Sequence, residues 1–473
     1  MVRVSRIPLV LLAALLLNVF TLRTGAAPQY DLRQQPGTST TNDPRRVPVP
    51  PRDISKDPIL VVRGGTLFDG TGAEPVPNAV VVLQGNRILD VGPAAAVRVP
   101  QKPDRVIDVA GGWIVPGLVD LHIHFTQQRG DDFQLYRDSP AAAAIRGVLL
   151  ASQLIDAGIT AVRDVGTLDD VALKIKEASQ RHMIDAPRVF WAGKLIGSRG
   201  GHGDEITETA SGRPRPLEGS GRHRVASGPG DWRLAVREQI RMGADLIKLT
   251  APFTKDEVAA AIDEAHMLGI RVTADAFGDY VTWASEARID AIEHPLAIPD
   301  AAIAAMAKNG TAFVPTMTAF YNPTKIGYPS AHIPPGAFYY TMSRRFSMTH
   351  EDNMATLRKA RAANLKMGIG TDIPFENEKR YPGDYFQELR FFKEAGYTDK
   401  EILMIATRNG GEVLGIPDMI GTLEKGKLAD VLVVDGNPIQ DIENLRKTRL
   451  VIADGRVLRE RAARAESSPQ PRQ

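Results

Sequence analysis

The chain has 473 residues, a formal net charge of +2, 43% hydrophobic and 24% charged residues, and no cysteine. This length and composition are typical of an ordinary globular protein with a large core. The near-neutral charge, without basic clusters interleaved with aromatic residues, argues against a nucleic-acid partner. The absence of cysteine excludes disulfides, thiolate zinc ligands and an N-terminal lipid-anchored cysteine.

The first residues have the layout of a secretory signal peptide. Arg3 and Arg6 precede an apolar run over residues 7–20, and small residues follow at 25–27. The run is shorter than the ~20 apolar residues of a membrane-spanning helix, although an uncleaved anchor is the alternative. We expect a cleaved signal peptide at residues 1–26 and a bacterial periplasmic or secreted protein, with no membrane partner after cleavage.

Strand-like runs near both ends of the chain predict a small β-sheet domain. They lie at residues 59–63, 79–83, 87–91, 428–434, 450–453 and 456–458. Turn residues at 85–86 make the second and third of these runs a hairpin. We expect a linker at 27–57, a β domain assembled from 58–115 and 420–462, and a disordered tail at 463–473.

The middle of the chain alternates short apolar runs with helical patterns. After a first strand that ends near residue 124, the predicted strands are residues 159–163, 188–192, 246–249, 271–274, 291–293, 312–315 and 367–370. Eight β-then-α units within residues 116–419 predict an α/β fold, a TIM (β/α)8 barrel beside the small β-sheet domain. A doubly wound sheet is the competing fold, but no glycine-rich phosphate-binding fingerprint follows the first strand.

Two histidines lie on the first barrel strand. His122 and His124 are two positions apart, so their side chains point to the same face of the strand. Two neighbouring imidazoles at a strand end can bind one divalent cation. The alternative is a pair of buried histidines that hydrogen-bond to backbone carbonyls.

Polar residues also follow the other predicted strands, and the C-terminal ends of barrel strands form the active-site rim. These candidates are His202 in the long loop at 197–231, Lys248 on strand four, Asp275 at the end of strand five, His294 after strand six and Asp372 after strand eight. Glu293 is expected to face away from this rim. Arg163 and Asp164, at the end of strand two, are expected to be a buried pair that holds the barrel together.

The motifs that contain these residues resemble the metal-dependent amidohydrolase superfamily, in particular its prolidase-like and imidazolonepropionase-like branch. They read GLVDLHIH, VRDVG, GGHGD, GADLIK, IEH, GTD and GTLEKGKLAD, and begin at residues 117, 162, 200, 243, 292, 370 and 421. Each motif is weak alone, but their order and spacing from about residue 58 to 460 carry the resemblance.

The resemblance implies a ligand set for one or two divalent metal ions, with zinc expected first. His122 and His124 would bind the first ion together with Asp372. A carbamylated Lys248 would bridge to a second ion, which a strand-five residue and His294 would hold.

The resemblance also implies a reaction. A metal-bound hydroxide would attack an amide carbonyl, and Asp372 would pass the proton to the leaving amine. His202 would bind the substrate carbonyl or the developing oxyanion. Tyr381, in the loop after strand eight, is assigned to the wall of the substrate pocket.

One residue departs from the family pattern, because this chain has Asp275 where the family places a strand-five histidine. In one interpretation, Asp275 binds the second metal through an oxygen and favours harder metals such as Mn or Fe. In another, Lys248 remains an ammonium ion and pairs with Asp275, which leaves a single metal. A degenerate site without metal is the third interpretation.

These interpretations lead to different functions. The leading hypothesis is an exported hydrolase of C–N bonds that acts on a small amide substrate, as a dipeptidase or an N-acyl amino acid hydrolase. A cyclic amide hydrolase or deaminase with one metal is the alternative within enzymes, and a non-catalytic barrel is the alternative outside them. The sequence leaves open whether the chain forms a homo-oligomer.

Overall fold

The computed structural model describes residues 53–126, 139–199, 201–202, 206–208, 214–216, 221–294, 298–326, 349–373 and 382–461. The predicted signal peptide, residues 27–52 of the predicted linker and the predicted C-terminal tail lie outside these residues. Within the described ranges, no helix combines the length and the apolar character that crossing a membrane would require.

The strands of the structure fall into two groups, a sheet from the chain ends and short strands from the middle. They are β1 (Ile59–Leu67), β2 (Val76–Gln84), β3 (Arg87–Pro93), β4 (Arg105–Asp108), β5 (Gly112–Pro116), β6 (Leu118–Ile123), β7 (Ile159–Asp164), β8 (Arg188–Trp191), β9 (Leu195–Ser198), β10 (Ile206–Glu208), β11 (Pro214–Pro216), β12 (His223–Ala226), β13 (Leu246–Thr250), β14 (Arg271–Asp275), β15 (Ala291–Glu293), β16 (Ala312–Val314), β17 (Val431–Asp435), β18 (Thr448–Ala453) and β19 (Arg456–Glu460).

The helices lie between the strands of the middle group and after them. They are α1 (Pro140–Asp156), α2 (Val171–Gln180), α3 (Gly228–Met242), α4 (Lys255–Met267), α5 (Asp279–Glu286), α6 (Asp300–Asn309), α7 (Met317–Ile326), α8 (His350–Ala362), α9 (Gly383–Glu394), α10 (Asp399–Met404) and α11 (Gly410–Leu414). A π-helical turn, Ile405–Asn409, joins α10 to α11, and a 3-10 helix, Ile442–Arg446, precedes β18.

The two chain ends form one eight-stranded sheet, as the sequence predicts. Its order is β19-β18-β17-β5-β1-β2-β3, and β4 pairs with β1. The predicted hairpin is β2–β3, and Gly85 supplies the left-handed backbone (φ 51°) at its turn. Val62, Val81, Ile114 and Val433 are buried together, so residues from both ends of the chain share one hydrophobic core.

The middle of the chain is built from parallel strands with helices between them. One sheet has the order β6-β7-β8, and a second has the order β12-β9-β13-β14-β15-β16, with parallel pairing throughout both. Most of these strands are buried along nearly their whole length, as parallel strands covered by helices should be, whereas the edge strand β12 is only partly buried. Because they are parallel, their C-terminal ends lie on one side of the molecule.

The predicted eighth strand, residues 367–370, is not a regular strand, which corrects the sequence analysis. The segment instead makes two isolated parallel bridges, Met367 with Phe313 and Ile373 with Ile123. Gly368 lies so close to the first strand that a Cβ there would overlap the side chain of Leu121. The segment therefore connects the two parallel sheets while its backbone is too irregular for a continuous ladder.

Candidate metal centre and active site

Three buried side chains form a group that can bind a cation. His122 and His124 come from the end of β6, and Asp372 comes from the segment that bridges to it. Asp372 Oδ1 lies 3.4 Å from His122 Nε2 and 3.1 Å from His124 Nε2. One ligand atom from each residue lies within 4.8 Å of the other two. This geometry suits a divalent cation with two imidazole ligands and one carboxylate ligand.

The histidines of the site are oriented by hydrogen bonds at Nδ1. His122 Nδ1 lies 2.8 Å from Glu293 Oε2, and His124 Nδ1 lies 2.9 Å from the carbonyl oxygen of Gly166. His294, whose ring centre lies 4.8 Å from that of His122, has the same arrangement with a hydroxyl group. The carboxylate and carbonyl partners favour, in His122 and His124, the tautomer in which Nε2 carries the free lone pair, as a metal ligand requires. The hydroxyl partner fixes the ring of His294 without selecting a tautomer.

Asp372 is held by the backbone and by the neighbouring strand. Its N–H donates to the carbonyl oxygen of His122 at 2.7 Å, and its φ of 58° is unusual for a residue other than glycine. The Thr371 hydroxyl donates to Asp120 Oδ2 at 2.7 Å, which fixes the residue before it. Burial favours the neutral acid, but the positive charge and hydrogen bond that His122 can supply hold the pKa of Asp372 well below its usual range.

Glu293 faces into the site, so the expectation that it faces away is wrong. It contacts His122 from one side, while Arg163 Nη2 and the Thr273 hydroxyl donate to Oε1. Side chains do not alternate strictly between the two faces of the strand here, because the next residue, His294, adopts a left-handed backbone with a φ of 71°. Both side chains can therefore point inward, and Glu293 orients a candidate metal ligand.

The Arg163–Asp164 pair that the sequence suggested is not formed. Arg163 instead pairs with Glu293 and donates to the backbone of Leu121. Asp164 accepts hydrogen bonds from the N–H groups of Phe125 at 2.8 Å and Gly166 at 3.1 Å. Both residues are buried and do join neighbouring strands, but through different partners. Removing one member of a buried ion pair such as Arg163–Glu293 typically costs about 3–5 kcal/mol.

Lys248 is a buried amine without a hydrogen-bond partner among the described residues. Its side chain comes from β13, the residue is only 1% exposed, and no acceptor in the described part of the chain contacts Nζ. The Lys248–Asp275 ion pair of the single-metal interpretation is therefore not present. Burial lowers the pKa of Lys248, and the charges of Glu293 and Asp275 oppose that effect. A buried polar group without a partner is costly, so this amine is a candidate for a modification or a ligand.

Asp275 lies between two histidines at the end of β14. Its Oδ2 atom is 3.6 Å from His294 Nε2 and 3.7 Å from His202 Nδ1. Asp275 is 3% exposed, so its carboxyl group is shielded from bulk solvent. The carboxyl group can therefore provide an oxygen ligand beside His294, with His202 next to the same oxygen.

The structure brings together nearly all of the site residues that the sequence suggested. His122, His124, Lys248, Asp275, His294 and Asp372 are buried at one end of the parallel strands, and His202 is partly exposed beside them. Tyr381 lies outside the described residues, as do Gly200, Gly203 and Asp204 of the GGHGD motif. Sequence reasoning missed the orienting role of Glu293, although its adjacency to His294 was a signal. It also missed Thr316, for which the sequence gives no signal.

Comparisons with known proteins agree on one family. Residues 113–458 match the model of the Amidohydrolase family. An ochratoxinase from Aspergillus niger is 26% identical over 431 residues, which cover 83% of this chain and 84% of that protein. An imidazolonepropionase from Rhizobium rhizogenes is 27% identical over 394 residues, which cover 76% and 88% of the two chains. The crystal structure of a Xaa-Pro dipeptidase with methionine bound in its active site superposes with a TM-score of 0.74. It is 29% identical, over 84% of this chain and 99% of that one.

Proposed function

Because this chain belongs to the amidohydrolase family and is a hydrolase of C–N bonds, we propose that it cleaves linear amides, as a dipeptidase or an N-acyl amino acid hydrolase. The observation that carries the proposal is the buried cluster of His122, His124 and Asp372, with Lys248, Asp275 and His294 beside it. The similarity to a Xaa-Pro dipeptidase, an enzyme named for a linear dipeptide substrate, is the basis for preferring a linear amide over a cyclic one.

We also propose that the parallel strands close into a (β/α)8 barrel. Support comes from the segment after α8, which bridges Phe313 on one side and Ile123 on the other. The N–H of Leu121 donates to the carbonyl oxygen of Ile369 at 2.8 Å, which adds a further link between the first strand and this segment. Closure would gather the C-terminal strand ends around one cavity mouth, as in other barrels.

The donor set fits the divalent metals that the family generally uses. Imidazole nitrogens and carboxylate oxygens are ligands that zinc accepts, and the histidines have their Nδ1 atoms occupied by acceptors. His122, His124 and Asp372 would hold a first ion. A carbamylated Lys248, Asp275 and His294 would hold a second. When bound, such ions lower the pKa of a water molecule and polarise an amide carbonyl.

Two residues would assist the reaction, one by transferring protons and the other by stabilising the negative charge that develops on the carbonyl oxygen. Asp372 Oδ2 is buried and has no hydrogen-bond partner among the residues that the structure describes, so it is placed to accept a proton from the attacking water. As the C–N bond breaks, the same carboxyl group returns this proton to the amine nitrogen, which leaves neutral. His202 is 19% exposed at its side chain and can donate to the carbonyl oxygen as that oxygen gains charge.

A substrate panel tests the linear-amide proposal. Purified enzyme loaded with zinc or manganese would be assayed against dipeptides, N-acyl amino acids and cyclic amides at equal concentration. We expect kcat/KM to be at least about tenfold higher for the best linear amide than for any cyclic one, a difference of ~1.4 kcal/mol in transition-state binding. The similarity to an imidazolonepropionase makes hydrolysis of cyclic amides the second candidate function. Turnover of cyclic amides alone would contradict the linear-amide proposal and support this second candidate.

Replacing Asp275 with histidine should change which metal the second site prefers. The carboxylate supplies a charged oxygen in place of the histidine nitrogen that the family resemblance implies, and charged oxygen favours Mn or Fe over Zn. In Asp275→His, we expect the ratio of bound zinc to bound manganese to rise by roughly tenfold, within the ~10–100-fold range seen for changes around metal ligands. Mass spectrometry of protein equilibrated with both metals measures the ratio.

Asp263→His is the matched control for the Asp275 experiment. Asp263 lies on α4 with a side chain that is 65% exposed, so an added histidine there adds a surface imidazole without changing the site. An unchanged zinc preference in Asp275→His would mean that Asp275 does not bind metal.

We propose finally that the enzyme is exported to the periplasm or secreted. The basis is the pair Arg3 and Arg6 followed by the apolar run at residues 7–20 and small residues at 25–27. Expression of the full chain in a Gram-negative host, followed by N-terminal sequencing of periplasmic and membrane fractions, tests this. A mature protein that begins near residue 27 is expected, and retention of residue 1 in the membrane fraction would indicate an anchor.

A further inference from the structure

His294 depends on a strained residue for its orientation. His294 Nδ1 lies 2.7 Å from Thr316 Oγ1, and both side chains are almost completely buried. Thr316 has a φ of 47°, a backbone conformation that is rare for a β-branched residue. Such a conformation is energetically unfavourable and persists only where the surroundings enforce it. Some other contact must therefore hold Thr316 in place.

Glu388 supplies that contact from a different helix. It lies on α9 and is fully buried, and Oε1 accepts a hydrogen bond from the N–H of Met317 at 3.0 Å. Its other oxygen accepts from the N–H of Thr318 at 2.8 Å and from the Thr318 hydroxyl at 2.9 Å. These N–H groups open α7, where the first backbone donors have no partner within the helix. The two residues after Thr316 are thus fixed by one carboxyl group.

We propose that Glu388 is a positioning residue for His294, acting through the start of α7 and the Thr316 hydroxyl. The inference rests on the proposed function in so far as His294 is assigned to the second metal. In the described part of the chain, Glu388 forms no ion pair, so this buried acid has no cation to explain its presence. Any carboxyl group placed like that of Glu388 would cap α7. The feature specific to Glu388 is that the capped helix begins next to Thr316, whose hydroxyl contacts a histidine of the site.

Glu388 can hold the start of α7 in either protonation state. Burial raises the pKa of Glu388 to about 8, against the opposing effect of hydrogen bonds from Thr318 and Met317. The Thr318 hydroxyl also lies 3.2 Å from the carbonyl oxygen of Asp384, to which it can donate. A protonated Glu388 can then donate to Thr318 Oγ1, and its two oxygens still accept from both backbone N–H groups.

Three variants and a matched control separate positioning from simple helix capping. Glu388→Gln keeps the size of the side chain but replaces one acceptor oxygen with an NH2 group. Thr316→Val removes the hydroxyl that contacts His294, and Thr316→Ser restores it. The control is Glu257→Gln. Glu257 is also buried and accepts at 2.8 Å from the N–H groups of Thr254 and Gly228, but it contacts no histidine of the site.

The readouts are metal stoichiometry after dialysis and the crystal structure of each metal-free variant. We expect Glu388→Gln and Thr316→Val to lower the affinity for the second metal ion by ~10–100-fold while the first ion is retained. Thr316→Ser, which keeps the hydroxyl, should retain most of the wild-type affinity. The His294 ring should turn away from the 316 side chain in Glu388→Gln. Glu257→Gln should lower the melting temperature without changing metal content.

Different results would overturn the inference and the proposed function. A His294 ring that stays in place in Glu388→Gln, with metal content like that of Glu257→Gln, reduces Glu388 to a helix cap and ends the inference. A wild-type enzyme that binds a single metal ion contradicts the two-metal proposal instead. In that case the ring position of His294 in the crystal structures still decides whether Glu388 positions it.

Discussion

Replacing Asp372 with asparagine is expected to lower kcat for a linear amide by about 10³-fold, within the ~10²–10⁴-fold range of general acid–base catalysis. The reason is that asparagine keeps an oxygen that can face a metal but has an NH2 group in place of Asp372 Oδ2, which no described residue contacts by a hydrogen bond. The variant could neither accept the proton of the attacking water nor return it to the leaving amine. Steady-state kinetics on the best dipeptide of the panel, normalised to bound metal, measures the effect.

A matched control distinguishes loss of chemistry from loss of folding. Asp245 precedes β13 by one residue, away from the C-terminal ends of the strands, and its carboxyl group pairs with Lys176 at 2.6 Å. Asp245→Asn should lower thermal stability and leave kcat per folded enzyme unchanged. If Asp372→Asn with full metal content retained kcat within about tenfold of the wild type, Asp372 would not be the proton carrier.

The part of the site that the sequence predicts well depends on simple periodicity. His122 and His124 share a face because a regular strand alternates its side chains, and the structure keeps β6 regular up to Ile123. Lys248 lies inside a strand as well, so its burial follows from the apolar residues around it. Parallel pairing then places the C-terminal ends of separate strands together, which local sequence can suggest without knowing any contact.

The part that the sequence misses begins where the strands stop being regular. His294, Thr316 and Asp372 all have positive φ values of 71°, 47° and 58°. No side-chain pattern encodes such conformations, because tertiary contacts impose them. The inward position of Glu293 and the hydrogen bond between Thr316 and His294 both follow from these departures. The same limit explains why the predicted eighth strand is only a pair of bridges.

Replacing Lys248 with alanine is expected to remove one of two bound metal ions and to lower kcat by about 10²–10³-fold, since each ion supplies several kcal/mol of charge stabilisation. The buried Nζ atom has no acceptor within the described residues, although Glu293, Asp275 and Asp372 are close enough to influence its charge. A carbamate at this atom forms when the amine nitrogen bonds to the carbon of CO2 and loses a proton. The product is an anion that can bridge two cations.

Carbon dioxide and short carboxylic acids make the Lys248 prediction specific. Wild-type protein stripped of metal and reloaded in CO2-free buffer should recover a single metal ion, and adding bicarbonate should recover the second. In Lys248→Ala, acetate or propionate should restore part of the lost activity, because either acid can occupy the space that the side chain vacates. Lys176→Ala, which also removes a largely buried lysine, should show no response to these acids.

If the number of metal ions recovered by the wild type did not depend on bicarbonate, and Lys248→Ala kept its full metal content, Lys248 would not bridge two ions. The second ion would then have to be held by Asp275 and His294 without it. Two such ligands offer only one negative charge, whereas the bridging carbamate would add a second one between the cations. A binuclear centre without Lys248 would therefore be weak, and the single ion at His122, His124 and Asp372 would have to carry the chemistry alone.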